Sequence, residues 1–309
     1  MPVYQGVAYL AEAVQSVLAQ THSHFELLIG DDGSTDGSRA YLATLTDARV
    51  RTFEFGKRVG LFKNLNRLLA RASSPIVRVL CQDDVLEETC LEQELSFLAG
   101  HPEVGMVISK YREMGTRSQI LSGALEKDLP DVLVPMLATQ QFYYHGCIAG
   151  NLSTVSIRKQ VLEDVGVFDE SYKVSGDYDL WSRVSSKYAV GIIHQHLVRI
   201  RTHDRQLSRA AQSSVPFVIE NARVRQTLFP RLPRQAQSAA RRFEHRRHCV
   251  LDFHLALRSF LAGRFIDAWK IVRILGVWGS VRAFGHWAWT RNNRLRPQAP
   301  WVLPESQSA

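Results

Sequence analysis

The chain has 309 residues, 45% of them hydrophobic and 22% charged, a balance that suits a globular protein of one large or two modest domains. No uninterrupted apolar run approaches the ~20 residues of a membrane span, and the best candidate, Ile271 to Trp289, is broken by Arg273, Arg282 and His286. The net charge of +8 is uneven: residues 1–215 hold 22 Lys+Arg against 25 Asp+Glu, and residues 216–309 hold 16 against 5.

Apolar residues Val7, Leu10, Ala11, Val14, Val17 and Leu18 recur at helical spacing and predict a helix over 7–20. Phe25 to Ile29 reads as a strand, Ser38 to Leu45 as a helix and Val50 to Phe55 as a strand. Leu61 to Ala72 reads as a helix, Ile76 to Leu80 as a strand, Glu87 to Ala99 as a helix and Val104 to Ser109 as a strand. This alternation predicts an α/β fold with a doubly wound, mostly parallel sheet. Residues 112–148 carry no clear pattern. Helices are expected over Arg158–Val165 and Asp177–Lys187, and a strand over Gly191–Arg201. Beyond about 216 only helices are expected.

The first helix begins within ten residues of Met1, so the strand that normally opens such a domain has no sequence to occupy. Either the fold lacks it or the chain starts late. Cys81, Cys90, Cys147 and Cys249 show neither metal-type spacing nor a disulfide framework, which suits a reducing, cytoplasmic setting. No signal peptide is visible.

Two aspartate pairs stand out. Asp31-Asp32 and Asp83-Asp84 each follow a short apolar run, and ligands of open α/β sheets gather at the carboxyl ends of strands. Four carboxylates at one crevice are costly unless a cation or hydrogen-bond donors meet them. A divalent metal carrying a phosphorylated ligand meets that need. Taken singly, each feature has a plainer reading. Asp31, Ser34 and Asp36 suit a helix cap, Asp83-Asp84 suits a helix entry, and Asp177 suits an N-cap. Tyr4 suits packing, and His203 suits a satisfied surface or core histidine.

Taken in order, the motifs resemble family 2 of the glycosyltransferases. They are Pro2-Val-Tyr4, Ser16-Val-Leu-Ala-Gln20-Thr21, Phe25-Glu26-Leu-Leu-Ile-Gly-Asp31-Asp32-Gly-Ser34-Thr-Asp36, Gly60, Asn66 and Gln82-Asp83-Asp84. Gly166-Val-Phe168-Asp169-Glu170, Gly176-Asp177-Tyr178-Asp179-Leu180-Trp181 and Arg201-Thr-His203 with Ser208 follow. The resemblance covers roughly residues 1–210 and implies a GT-A fold, without its usual first strand here. It implies a catalytic domain over 1–215, with a nucleotide-sugar half (1–105) and an acceptor half (106–215), followed by a helical region over 216–309.

The resemblance also implies inverting transfer from a nucleotide-diphosphate sugar to a saccharide or lipid-linked acceptor, of the cell-surface polysaccharide or glycolipid type. Pro2 and Tyr4 would line the base pocket and Asp32 would hold the uridine-like moiety. Asn66 and Asp83 would meet the nucleotide-sugar, and Asp177 would be the general base. Asp83, Asp84 and His203 would hold Mg²⁺ or Mn²⁺, ions that favour carboxylate and phosphate oxygens. Three positions depart from the family pattern. Cys81 replaces the first aspartate of D-x-D, Gly176 replaces the Glu before the base, and Arg58 replaces an Asn two residues before Gly60.

Five of the six tryptophans and most of the excess arginine lie in 216–309, including Trp278, Trp287, Trp289, Arg291, Arg294 and Arg296. Such a segment suits either an anionic membrane surface or a helical subdomain with a solvated basic face. Nucleic acid is not an expected partner, because no recognised motif for it is present. The rival readings are a non-catalytic nucleotide- or membrane-binding protein on the same fold, and a sugar nucleotidyltransferase.

Overall fold

The computed structural model describes residues 1–114, 129–203, 206, 215–275 and 285. Ser208, Trp278, Trp287, Trp289, Arg291, Arg294 and Arg296 lie outside the described residues. The chain divides into two compact units, one of residues 1–138 and 147–204, the other of 139–146 and 205–309.

The first unit opens with β1 (Pro2–Val3), α1 (Val7–Leu18), β2 (Leu27–Asp31), α2 (Ser38–Leu42), β3 (Val50–Glu54) and α3 (Leu61–Leu69). The three strands form a parallel sheet in the order β1-β2-β3. β2 is buried along its whole length, as expected of a continuous apolar run in a parallel sheet. Its last residue, Asp31, brings the first carboxylate pair to the strand's carboxyl end. Leu10, Ala13 and Val14 of α1 are completely buried, which is the helical stripe read from the sequence.

The expectation of an absent first strand is corrected. Pro2 and Val3 form a parallel strand, in register with Gly30 and Asp31. The amino group of Met1 donates to Leu28 O at 2.7 Å.

A second sheet holds β4 (Ile76–Arg78), β5 (Val85–Leu86), β6 (Val104–Met114), β7 (Val132–Leu133), β8 (Val155–Arg158) and β9 (Ala189–Arg201). Its order is β4-β8-β6-β9-β5, with β7 also on β9. Here only β6 and β9 run parallel, and the other four pairings are antiparallel. Strand–helix alternation gave no sign of β5, β7 or β8, because runs of two to four residues carry too little periodicity. α4 (Cys90–Gly100), α6 (Lys159–Val165) and α7 (Gly176–Ser185) complete this part, and α5 (Pro135–His145) starts in this unit and belongs to the second from residue 139 on. Between β2 and β4 lies a cavity of about 380 Å³ whose lining includes Met1, Leu28, Leu68, Ile76 and Leu80.

The second unit is helical among its described residues: α8 (Val215–Leu228), α9 (Arg234–Phe243), a π-helical turn (Glu244–His248), α10 (Cys249–Leu261) and α11 (residues 265–275). Arg225 is buried and bridges Glu244 at 2.9 Å and Asp252 at 3.3 Å.

Candidate active site

The carboxyl end of β2 divides its aspartates between two tasks. Asp31 is fully buried and accepts from the amides of Gly33 and Ser34 and from Arg39 Nε at 2.9 Å. Burial works to raise its pKa, but the bonds from Ser34 and Arg39 outweigh that and hold it below the ordinary carboxylate value. Asp31 therefore shapes the turn. Asp36 ties two helix starts together by accepting from Val7 N and from the amide and hydroxyl of Ser38.

Asp32 points the other way. Its two oxygens accept from Val59 N at 2.7 Å and Gly60 N at 2.8 Å, so it holds the loop that enters α3. That loop places the Arg58 guanidinium 4.0 Å from the centre of the Tyr4 ring. The Tyr4 backbone is fixed in turn by Gln82, whose amide accepts from Tyr4 N at 2.8 Å and donates to Tyr4 O at 3.0 Å. The two aspartate turns are thus joined through Tyr4, which directly follows β1. A side chain at Gly6 would run into this Gln82 amide.

Asp83 and Asp84 also differ. Asp83 faces His203, with Oδ2 and Nε2 2.9 Å apart. The Tyr9 ring lies 5.0 Å from the His203 ring, and Arg201 stacks on Tyr9 while donating to Asp83 O. Asp84 is buried and accepts from Ser153 Oγ at 2.6 Å and Arg201 N at 3.0 Å. Burial and the neighbouring Asp83 push its pKa up to about 7. Ser153 Oγ also accepts from Cys81 N, and the Ser153 carbonyl accepts from Arg78, which pairs with Glu94 at 3.1 Å.

The Cys81 sulfur and one oxygen each of Asp83 and Asp84 lie within 4.8 Å of one another. Carboxylates and an imidazole are donors that a divalent ion of the Mn²⁺ kind accepts, whereas the Cys81 thiol is too soft to add to them, and burial keeps it protonated. Asp83 and His203 fit such an ion. Asp84 accepts from two donors, one on each oxygen, and keeps lone pairs free toward the same cluster.

Asp177 sits in the first turn of α7, where the helix N-terminus favours a negative charge. Its Oδ1 accepts from Tyr178 N, and the Cys147 sulfur lies 4.0 Å from its Oδ2. Burial and Asp177 raise the Cys147 pKa well above its ordinary value, so this thiol stays protonated beside the carboxylate. Asp179 is buried and bonded to Arg183 Nε at 2.9 Å. Arg183 also donates to the carbonyls of Val165, Gly166 and Val167.

Gly176 has a physical cause. A Cβ there would lie 2.7 Å from the Phe62 ring, which stacks on Phe168 at 5.5 Å. Asn66 uses its amide on Phe168 N, Phe168 O and Glu170. It clasps the segment before α7.

Sequence reading missed Cys147, Ser153 and the orienting roles of Gln82 and Arg201. Cys147 lies at the end of the stretch without pattern and Ser153 just beyond it, and nothing in their spacing marked them. Gln82 and Arg201 were visible as motif letters only.

This arrangement has known counterparts. The pattern described as glycosyl transferase family 2 matches residues 1–165, more than half of the chain. The chain belongs to this family. Among its relatives is an uncharacterized glycosyltransferase of Rickettsia typhi, 27% identical over 218 residues, a match covering 68% of this chain and 65% of the relative. EpsE of Bacillus subtilis, named as a glycosyltransferase, is 27% identical over 62% of this chain and 76% of its own. TuaG of the same organism, whose name refers to teichuronic acid biosynthesis, is 35% identical over 99 residues, 31% of this chain and 39% of its own. The match thus spans just under two thirds of the Rickettsia typhi relative's own length.

The fold is also that of Staphylococcus aureus TarS residues 1–349, solved in complex with UDP-GlcNAc. The TM-score is 0.71 at 14% identity, over 95% of this chain and 90% of that one. The GT-A α/β fold of family 2 is therefore the fold of this chain, followed by a helical C-terminal region.

Proposed function

We propose that this family 2 glycosyltransferase is metal-dependent and inverting. It moves a sugar from a nucleotide-diphosphate sugar to an acceptor hydroxyl in the synthesis of a cell-surface polysaccharide or glycolipid. The observation that carries the reading is the Asp83–His203 pair, 2.9 Å apart at the strand ends, with the Tyr4–Asp32 turn joined to it through Gln82. A TarS complex containing UDP-GlcNAc supports a nucleotide-sugar donor, and the name of TuaG supports a polysaccharide setting.

In this reading Pro2, Tyr4 and the Asp32 loop receive the nucleoside. Asp83, Asp84 and His203 would hold Mg²⁺ or Mn²⁺, with Ser153 and Arg201 keeping their turn in place. The ion supplies charge neutralisation for the departing diphosphate. Asp177 accepts the proton of the acceptor hydroxyl as its oxygen attacks the anomeric carbon. The bond from that carbon to the diphosphate breaks on the opposite face in the same step, so the configuration inverts and no covalent enzyme intermediate forms.

The catalytic domain is taken as residues 1–215 and the helical region as 216–309. The acceptor is a saccharide or a lipid-linked saccharide, and the enzyme works peripherally at the inner face of the cell membrane. No described helix is long and apolar enough to cross a membrane.

The test is the product. Incubation with nucleotide-sugars should release nucleoside diphosphate in proportion to acceptor added. Pyrophosphate release would instead favour a nucleotidyltransferase, and no release from any donor would favour a non-catalytic binder.

A further inference from the structure

Seven of the eleven exposed large hydrophobic side chains among the described residues lie between 251 and 272. They belong to α10 and α11, which meet in a tight turn at Gly263 (φ +74°). The turn is held by the Arg264 amide donating to Ser259 O at 2.8 Å and by an edge contact of Phe260 with Phe265, centroids 5.2 Å apart.

α11 is apolar on two faces. Ala268 and Ile271 are buried, and Ile271 joins the core of Val215, Val218 and Ala256. The opposite face presents Phe265, Ile266, Trp269 and Val272, with Ile266 71% and Trp269 58% exposed. A helix bathed only in water keeps its outward face polar, so a contiguous patch of this kind marks a contact surface.

The charges around the patch decide its partner. Arg258, Arg264, Lys270 and Arg273 lie on the same two helices and the turn between them, against Asp267 and the Arg225-paired Asp252, and Arg273 stacks 5.4 Å over the Trp269 ring. The unit's described salt bridges run instead from Arg225 to Glu244 and Asp252. A second copy docked face to face would bring two surfaces of net positive charge together, with only Asp267 to offset the four cations of each. A surface of anionic headgroups over acyl chains meets both the cations and the rings.

We propose that the Phe260–Arg273 hairpin docks the protein on anionic lipid, with the Phe265, Ile266 and Trp269 side chains in the headgroup layer. This rests on the reading of the enzyme as working at a membrane surface, and it names the element that makes the contact.

Sedimentation of the full chain with vesicles tests it, using phosphatidylcholine alone and phosphatidylcholine with phosphatidylglycerol. Wild type should pellet with the anionic vesicles, bind neutral ones weakly, and release as salt rises. Trp269→Asp and the pair Lys270→Glu, Arg273→Glu should each lose roughly tenfold in vesicle affinity. Nucleoside diphosphate binding, measured in parallel, should stay unchanged and so report intact folding. If wild type binds and the variants bind equally well, the hairpin assignment is overturned while the membrane reading stands. If wild type ignores anionic vesicles, both fail. Concentration-dependent self-association of wild type, abolished by Trp269→Asp, would overturn the proposal in favour of a second copy.

Discussion

The Asp83 carboxylate and the His203 imidazole stand 2.9 Å apart although 120 residues separate them. β4 leads into the turn that carries Asp83, and β9 ends just before His203. Their approach is fixed by Arg201, which donates its backbone amide to Asp84 and its guanidinium to Asp83 O. Ser153 closes the same ring by donating to Asp84 while accepting from Cys81 N. Ser153→Ala removes both bonds and leaves Asp84 buried with one donor fewer. It should lower Mn²⁺-dependent affinity for a nucleoside diphosphate by ~10-fold, as loss of an orienting partner does at metal sites. Calorimetry with and without Mn²⁺ reads this directly.

Asp177 and Asp179 lie two residues apart and should respond differently to the same substitution. Asp177→Asn should lower transfer by ~10²–10⁴, the contribution of a general base, with donor affinity nearly unchanged. Asp179→Asn should instead lower stability by ~1–3 kcal/mol, because Arg183 would lose its carboxylate partner. Turnover and thermal melting of both variants separate the two roles.

Gly176 yields a related stability prediction. Gly176→Ala should destabilise the protein by ~1–3 kcal/mol through overpacking, since its Cβ would meet the Phe62 ring at 2.7 Å. Phe62→Leu in the same chain should recover part of that loss. Equal melting temperatures for wild type and Gly176→Ala would remove the steric account of this departure from the family.

Much of the catalytic unit was legible in the sequence because its elements are long and periodic. The α1 stripe of Leu10 and Val14, and the apolar run ending at Asp31, each have one physical solution. Short pieces were not legible. β1, β5 and β7 have two residues each and exist only through their partners. The division of labour within each aspartate pair was also hidden. Arg39 reaches Asp31 and Ser153 reaches Asp84 from other elements, and spacing along the chain does not reveal such partners. The partners of Asn66, Phe168 and Glu170, lie about a hundred residues away and were equally hidden.

Asp32 should act through the loop it holds. Asp32→Ala removes the acceptors of the Val59 and Gly60 amides. Those two amides should then exchange faster with solvent, and nucleotide affinity should fall with them. Unchanged protection at both positions would separate Asp32 from the loop.

The helical unit should be acid-sensitive at one histidine. Burial, and then Arg225, depress the pKa of His248 to about 2, so the folded unit disfavours the proton that the unfolded chain binds below about 6.5. Its stability is therefore lost as pH falls through that window. Burial raises Asp252 to about 6, which acts in the opposite sense between about 4 and 6. The two nearly cancel there, and the net loss concentrates below about pH 4. His248→Leu should flatten that loss, read as hydrogen exchange in α8 and α10 at pH 3 against pH 7.

The most direct test of the account is calorimetry of UDP, GDP, dTDP and CMP with the full chain, with and without Mn²⁺, for wild type, Asp83→Asn and His203→Ala. The account predicts that at least one nucleotide of the panel binds wild type only when Mn²⁺ is present, and that each substitution abolishes the metal-dependent part. Mn²⁺-dependent binding that survives both substitutions, or no binding by any nucleotide under either condition, would contradict it.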